Sequence, residues 1–186
     1  MDVPSNRIDA SGLRFSPMRK EDLPLLKAWL SEPHVAAWWR APVSETEFEG
    51  HYISRIEGKE RMDVFMIELG GQQIGMIQAC HLPATSAEPA SCGIDLLIGR
   101  KDLVGRGLGP AIIDAFVTNY VFGKTPAEVC TGDPDAGNGR CILACEKAGF
   151  HIVSVFMDQG HPHLLLARNR SDIALPQETR SFEDLL

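Results

Sequence analysis

The chain has 186 residues, 44% hydrophobic and 23% charged, with a formal net charge of −7. This is ordinary globular usage, enough for one domain with a sizeable core, and it excludes wholesale disorder. The negative balance disfavours nucleic acid and anionic membrane as partners, which need basic patches, and it suits a small cationic substrate.

Taken in order, the chain alternates between two hydrophobic periods. Leu13 to Met18 reads as a strand. Glu21 to Leu30 places acidic residues first and apolar ones at helical spacing, so it reads as a helix; Glu45 to Ile56 is a second. Asp63 to Leu69, Gly70-Gly71 and Gln73 to Ile77 read as strand, tight turn and strand. A segment of small residues, 83 to 90, leads to the apolar run Gly93 to Ile98. Next come a glycine-rich turn, an amphipathic run from Ala111 to Val117, a strand around Val129 to Thr131, and a helix closing in Glu146-Lys147-Ala148-Gly149-Phe150. Two closing strands fit His151 to Phe156 and Leu164 to Arg168; His161-Pro162-His163 between them could be a ligand pair but reads better as the end of the turn. Strands alternating with helices define the α/β class. Residues 1–11 and 169–186 are polar and read as peripheral tails.

The stretch Val104-Gly105-Arg106-Gly107-Leu108-Gly109-Pro110 carries the most chemistry. A strand entering a glycine-rich turn and then a helix offers backbone N–H groups and the positive end of a helix dipole to an anion. Glycines at 105, 107 and 109 let the backbone approach a phosphate without a Cβ in the way. The dinucleotide fingerprint needs different glycine spacing, and the P-loop needs a Lys and a hydroxyl that Pro110-Ala111 cannot supply.

Three further positions stand out. Asp95 interrupts the apolar strand before the turn, where a carboxylate either faces a cleft as a proton acceptor or ends the strand in water. Asp133 follows a strand on the edge where α/β folds hold ligands, and it also suits a turn before Pro134. Asn138 can cap the next helix or bind a ligand, and the two roles are compatible. The cysteines are 80, 92, 130, 141 and 145; the odd count, with no Cys-x-x-Cys pair, indicates reduced thiols and no metal site. Met1 to Asn6 lacks the basic and apolar regions of a secretory signal, and no apolar run approaches the ~20 residues that span a bilayer, so a cytoplasmic protein is expected.

The glycine turn, Asp133-Pro134, Asn138 and Glu146-Lys147-Ala148-Gly149-Phe150 together resemble the GNAT family of acetyl-CoA-dependent N-acyltransferases, over roughly residues 12–168 as a single domain. The resemblance implies a mixed central sheet of about six to seven strands flanked by about four helices. It implies acetyl-CoA as cosubstrate and no metal. Coenzyme A pyrophosphate would sit on the N–H groups of Arg106, Gly107, Leu108 and Gly109, with Gly105, Leu97, Ile98 and Asn138 also against the cofactor. Where the family often has Gln or Arg, this chain has Val104, which matters little because the loop works through its backbone.

With Ser31-Glu32-Pro33-His34-Val35-Ala36-Ala37-Trp38-Trp39 and Gly93-Ile94-Asp95 added, the chain looks most like the aminoglycoside 6′-N-acetyltransferases. That resemblance implies Asp95 as proton acceptor, Asp133 as a holder of ammonium groups, and Trp38 or Trp39 as a wall of the substrate cleft. The Trp pair equally suits a loop anchored on the core. The tyrosine thought to protonate the departing thiolate is replaced by Cys145, leaving Cys145, water or unaided departure. The 83–90 segment also lacks the acidic, tryptophan-bearing loop of the resistance enzymes. The alternative reading is therefore an acyltransferase for another amine, such as N-hydroxylysine in siderophore assembly or a protein N-terminus. A coenzyme A-binding protein without chemistry is the third reading. Either a monomer or a homodimer fits.

Overall fold

The computed structural model describes residues 8–39 and 44–172. Residues 1–7 and 173–186, most of the two expected tails, lie outside the described residues. Seven strands form one sheet: β1 (Leu13–Pro17), β2 (Met62–Leu69), β3 (Gln72–Leu82), β4 (Ser91–Ile98), β5 (Val129–Gly132), β6 (His151–Asp158) and β7 (His161–Asn169). Their order is β1-β2-β3-β4-β5-β7-β6, and every pair is antiparallel except β4–β5, which is parallel. The sheet is thus mixed.

The central hairpin follows from its two glycines. Gly70 and Gly71 have φ of 58° and 76°, the left-handed pair that a two-residue turn needs to match strand twist. Helices cover both faces. On one face lie α1 (Leu23–Leu30), the short α2 (Pro33–Ala36) and α3 (Glu45–Ile56). Ser44 caps α3 reciprocally: its hydroxyl accepts from the Glu47 N–H and the Glu47 carboxylate accepts from the Ser44 N–H, each at 3.2 Å. Leu26, Trp29, Tyr52, Met66, Met76 and Leu97 pack together there.

On the other face lie α4 (Leu108–Phe116), α5 (Phe122–Lys124) and α6 (Gly139–Lys147). The helix expected to stop near Val117 continues through a π-helical turn, Val117–Val121, into α5. Phe116 meets Phe15 and Phe65 edge-on at centroid distances of 5.1 and 5.4 Å, each contact worth about 0.5–1.5 kcal/mol beyond area burial. One expectation shifts by a few residues. The β6–β7 corner is Gln159–Gly160, so His161-Pro162-His163, expected to end the turn before a strand from Leu164, already opens β7. No helix among the described residues is long and apolar enough to cross a membrane.

β4 and β5 pair only at Ser91↔Val129, Cys92↔Cys130 and Gly93↔Thr131. Beyond Gly93, β4 runs on to Ile98 while β5 ends at Gly132, and the sheet opens between them. The β3 side holds β4 in place through that opening. Gly75 sits against Ile98, where an added Cβ would run into the Leu97 carbonyl oxygen. Gly75→Ala should therefore cost about 1–3 kcal/mol in urea unfolding, the usual range for overpacking a close backbone approach.

Candidate active site

The opening between β4 and β5 leads into two cavities that meet. The first, about 440 Å³, lies between the free end of β4, the turn before α4, and α6. Gly107 is the N-cap of α4 at φ 82°, and no side chain caps the helix. Within the turn, the Arg106 N–H donates to the Leu103 carbonyl at 3.3 Å, and Arg106 does not line the cavity. The donors left for an anion are the N–H groups around Gly105, Gly107, Leu108 and Gly109, which do line it. Pro110 has no N–H to contribute, and in the first turn of α4 it forfeits no helix hydrogen bond. Leu97, Ile98 and Asn138 line the same cavity, with the cations Arg140 and Lys147. The Asn138 side-chain oxygen caps α6 by accepting from the Cys141 N–H at 3.2 Å, which leaves its amide N–H groups for a ligand.

The second cavity, about 740 Å³, holds Asp95, Asp133 and Asp135. Alternation along β4 turns Asp95 to the same face as Leu97, beneath α3. Its carboxylate accepts from Gln78 Nε2 at 2.9 Å, and Gln78 Oε1 accepts from Arg55 at 2.8 Å. Asp95 is open to solvent at the residue level, yet protein atoms of the cavity crowd around its carboxylate. This desolvation pushes its pKa up, and Asp133 pushes the same way, while the Gln78 hydrogen bond and Arg55 oppose them. Asp133 is exposed at the end of β5, and its carbonyl accepts from His163 Nδ1 at 2.7 Å.

Trp38 and Trp39 border both cavities, and the two readings of the pair divide between them. Trp39 packs on the α1–α3 core and hydrogen-bonds buried Tyr52, so it anchors the segment. Trp38 is 50% exposed and forms a wall.

The cysteine expected in place of a tyrosine lies deeper than its partner. Cys145 is buried and borders only the second cavity, whereas Cys141, one turn earlier on α6, borders both. The Cys145 thiol donates to Cys141. That bond holds the Cys145 proton and raises its pKa, and it lowers that of Cys141. All five cysteines are free.

The structure thus gathers Asp95, Asp133, Asn138, Cys145, the glycine turn and both tryptophans around one opening. Sequence reasoning missed Arg55, Gln78, His51, Asp135, Cys141, His161 and His163. Gln78 was the most findable, as a lone amide within the apolar run of β3; the others carried no local signal.

A family profile described as an acetyltransferase (GNAT) domain matches residues 19–157. The chain belongs to this family of acetyltransferases. It is 25% identical over 190 residues to an aminoglycoside N(6′)-acetyltransferase type 1 of Serratia marcescens, covering 97% of this chain and 92% of that protein. It is also 25% identical over 140 residues to the lysine N-acyltransferase MbtK of Mycolicibacterium paratuberculosis, covering 70% and 62%. Among solved structures, the aminoglycoside acetyltransferase AAC(6′)-Ib in complex with coenzyme A and kanamycin superposes with a TM-score of 0.75 at 25% identity, covering 86% of this chain and 95% of that one.

Valine at 107 would need a β-branched residue in the left-handed region and would block backbone approach. Gly107→Val should weaken coenzyme A binding in calorimetric titration, measured where the variant is folded, and the left-handed strain should also lower its melting temperature. Unchanged affinity would remove the turn from the phosphate site.

Proposed function

We propose that this acetyltransferase moves the acetyl group of acetyl-CoA to a primary amine of a polycationic amino sugar, the 6′-amine of an aminoglycoside, by direct attack in a ternary complex. The observation that carries the reading is the pair of joined cavities. One offers backbone N–H groups for a pyrophosphate, and the other presents Asp95, Asp133 and Asp135 to cationic groups. The kanamycin-bound relative supports the same acceptor class.

A free alkylamine has a pKa of about 10 and arrives charged, so it must lose a proton before attacking the thioester. Asp95 takes that proton, directly or through a water. Asp133 and Asp135 hold the remaining ammonium groups. As attack builds charge on the thioester oxygen, the N–H groups of β4 that face the opening beyond Gly93 supply the donors at hand. Coenzyme A leaves as a thiol of pKa near ~8.5, so protonation assists departure without being obligatory. Cys141, which borders both cavities, is placed to supply that proton. Small-molecule chemistry of this kind needs neither nucleic acid nor membrane.

One observation favours a different acceptor. The 83–90 segment is mostly exposed and does not reach the second cavity, so it adds no carboxylate for a large polycation. A smaller amine, such as the N-hydroxylated amine of a siderophore precursor, would suit the remaining carboxylates.

Thiol release from acetyl-CoA, measured across kanamycin, tobramycin, N-hydroxylysine and spermidine, separates the two readings. Turnover on kanamycin with the product mapped to the 6′-amine is expected. Silence on both aminoglycosides with turnover on N-hydroxylysine would replace the first reading by the second.

Asp95→Asn should lower kcat by about 100-fold or more, the usual contribution of a general base, with acetyl-CoA binding nearly unchanged. In wild type, activity should fall as pH drops through the Asp95 pKa, because only the ionised form accepts a proton. Burial and Asp133 place that limb above the ordinary carboxylate value of about 4. A limb at or below 4 would take Asp95 out of the role.

A further inference from the structure

The β3–β4 register sets Gln78 directly beside Asp95, on the sheet face under α3. Gln78 is only 6% exposed, and a buried amide must satisfy both its carbonyl and its NH₂. Its two neighbours leave one way to do so. The Arg55 guanidinium is donor-only, so it takes Gln78 Oε1, at 2.8 Å. Asp95 when ionised is acceptor-only, so it takes Gln78 Nε2, at 2.9 Å. Turning the amide over would set donor against donor and acceptor against acceptor. Arg55 is held in turn, by Glu60 at 3.1 Å from its Nε and by the Tyr52 ring, whose centroid is 5.7 Å away. The bond goes to Asp95 Oδ2, and Oδ1 has no partner among the described residues.

We infer that Gln78 is a positioning residue for acetyl transfer: oriented by Arg55, its amide fixes the Asp95 carboxylate so that Oδ1 receives the proton of the incoming amine. The inference rests on the role given to Asp95 above. It explains how a carboxylate crowded by protein atoms, with Asp133 raising its pKa, stays available as a base: the Gln78 bond is made to the charged form and favours it. Other groups also face the carboxylate. From α3 these are His51, Tyr52 and Arg55, with Glu60 behind; from β3, Cys80; from α6, Cys141; and from the end of β5, Asp133. Burial and Arg55 push His51 down, so it adds little positive charge near neutrality.

The test is a ¹³C-carboxyl NMR titration of aspartate-labelled protein, with the Asp95 signal assigned through Asp95→Asn. Gln78→Met keeps the bulk and removes both hydrogen bonds. Its Asp95 midpoint should move to higher pH by about one unit, which is about a tenfold loss of ionised base on the acid limb. The acid limb of kcat should move with it while the KM for acetyl-CoA stays unchanged, a split that a merely structural role would not give. Arg55→Met frees the amide to turn and should shift the midpoint in the same direction by less; it also serves if Gln78→Met does not fold. An unmoved midpoint in folded variants overturns the inference. The NMR readout needs no acceptor, so a shifted midpoint in a protein silent on every amine tested would sink the proposed reaction and leave Gln78 in place. Turnover with an unmoved midpoint would do the reverse.

Discussion

Everything chemical in this molecule depends on the parting of β4 from β5 after three paired residues. Up to Gly93 the two strands satisfy each other's backbone groups, and past it β4 must find partners elsewhere on that side. A sheet held together along its full length would have no room there for a ligand. Two features keep the opening from closing. β3 grips β4 along all eight of its residues, with Gly75 in close contact at the far end. On the other side, β5 turns away at Gly132 into Asp133-Pro134, where proline cannot continue a ladder. α4 and α6, which pack against one another through Gly109 and Ala144, form the floor. The glycine turn and the Asn138 cap thus stand at the two helix starts that face the same gap.

The cleft divides its charge by position. The end at the glycine turn offers backbone N–H groups together with the cations Arg140 and Lys147, a setting suited to an anion. The other end carries three aspartates, and among the described residues that line it the one permanent cation, Arg55, is engaged by Glu60 and Gln78. The arrangement also sets opposing demands on Asp95. The neighbouring carboxylate that attracts substrate raises the pKa of the base, and a base protonated at neutral pH would be useless. A neutral amide donor resolves this conflict without introducing a positive charge that would repel the amine.

How much of this was legible beforehand depends on whether a local signal existed. The glycine turn, the capping asparagine and the helix end in Glu-Lys-Ala-Gly-Phe are contiguous patterns, and each lies where its pattern placed it. Asp95 was legible because a charge in an apolar strand has an energetic cost that asks for a reason. Arg55, Gln78 and Asp95 come from three elements, and only the β3–β4 register and the packing of α3 unite them. His161 and His163 read as the end of a turn, with a ligand pair as the alternative. The two-residue corner at Gln159–Gly160 instead makes them the start of β7, where they reach the acceptor cavity. The difference between Cys141 and Cys145 was hidden for a similar reason: spacing puts both on one helix face, and only the depth of each relative to the cavities separates them.

That depth bears on the lost tyrosine. A phenol of pKa about 10 is a weaker acid than the coenzyme A thiol it would protonate, near ~8.5, so its value lies in placement more than in driving force. An ordinary thiol already lies closer to the leaving thiol in acidity than a phenol does, and proton transfer is most efficient between groups of similar pKa. Cys141 has that character and borders both cavities; Cys145, whose proton is committed, does not. Of the two thiols, Cys141 alone therefore stands at the junction of the two cavities, one turn along α6 from the position where the family's tyrosine is expected.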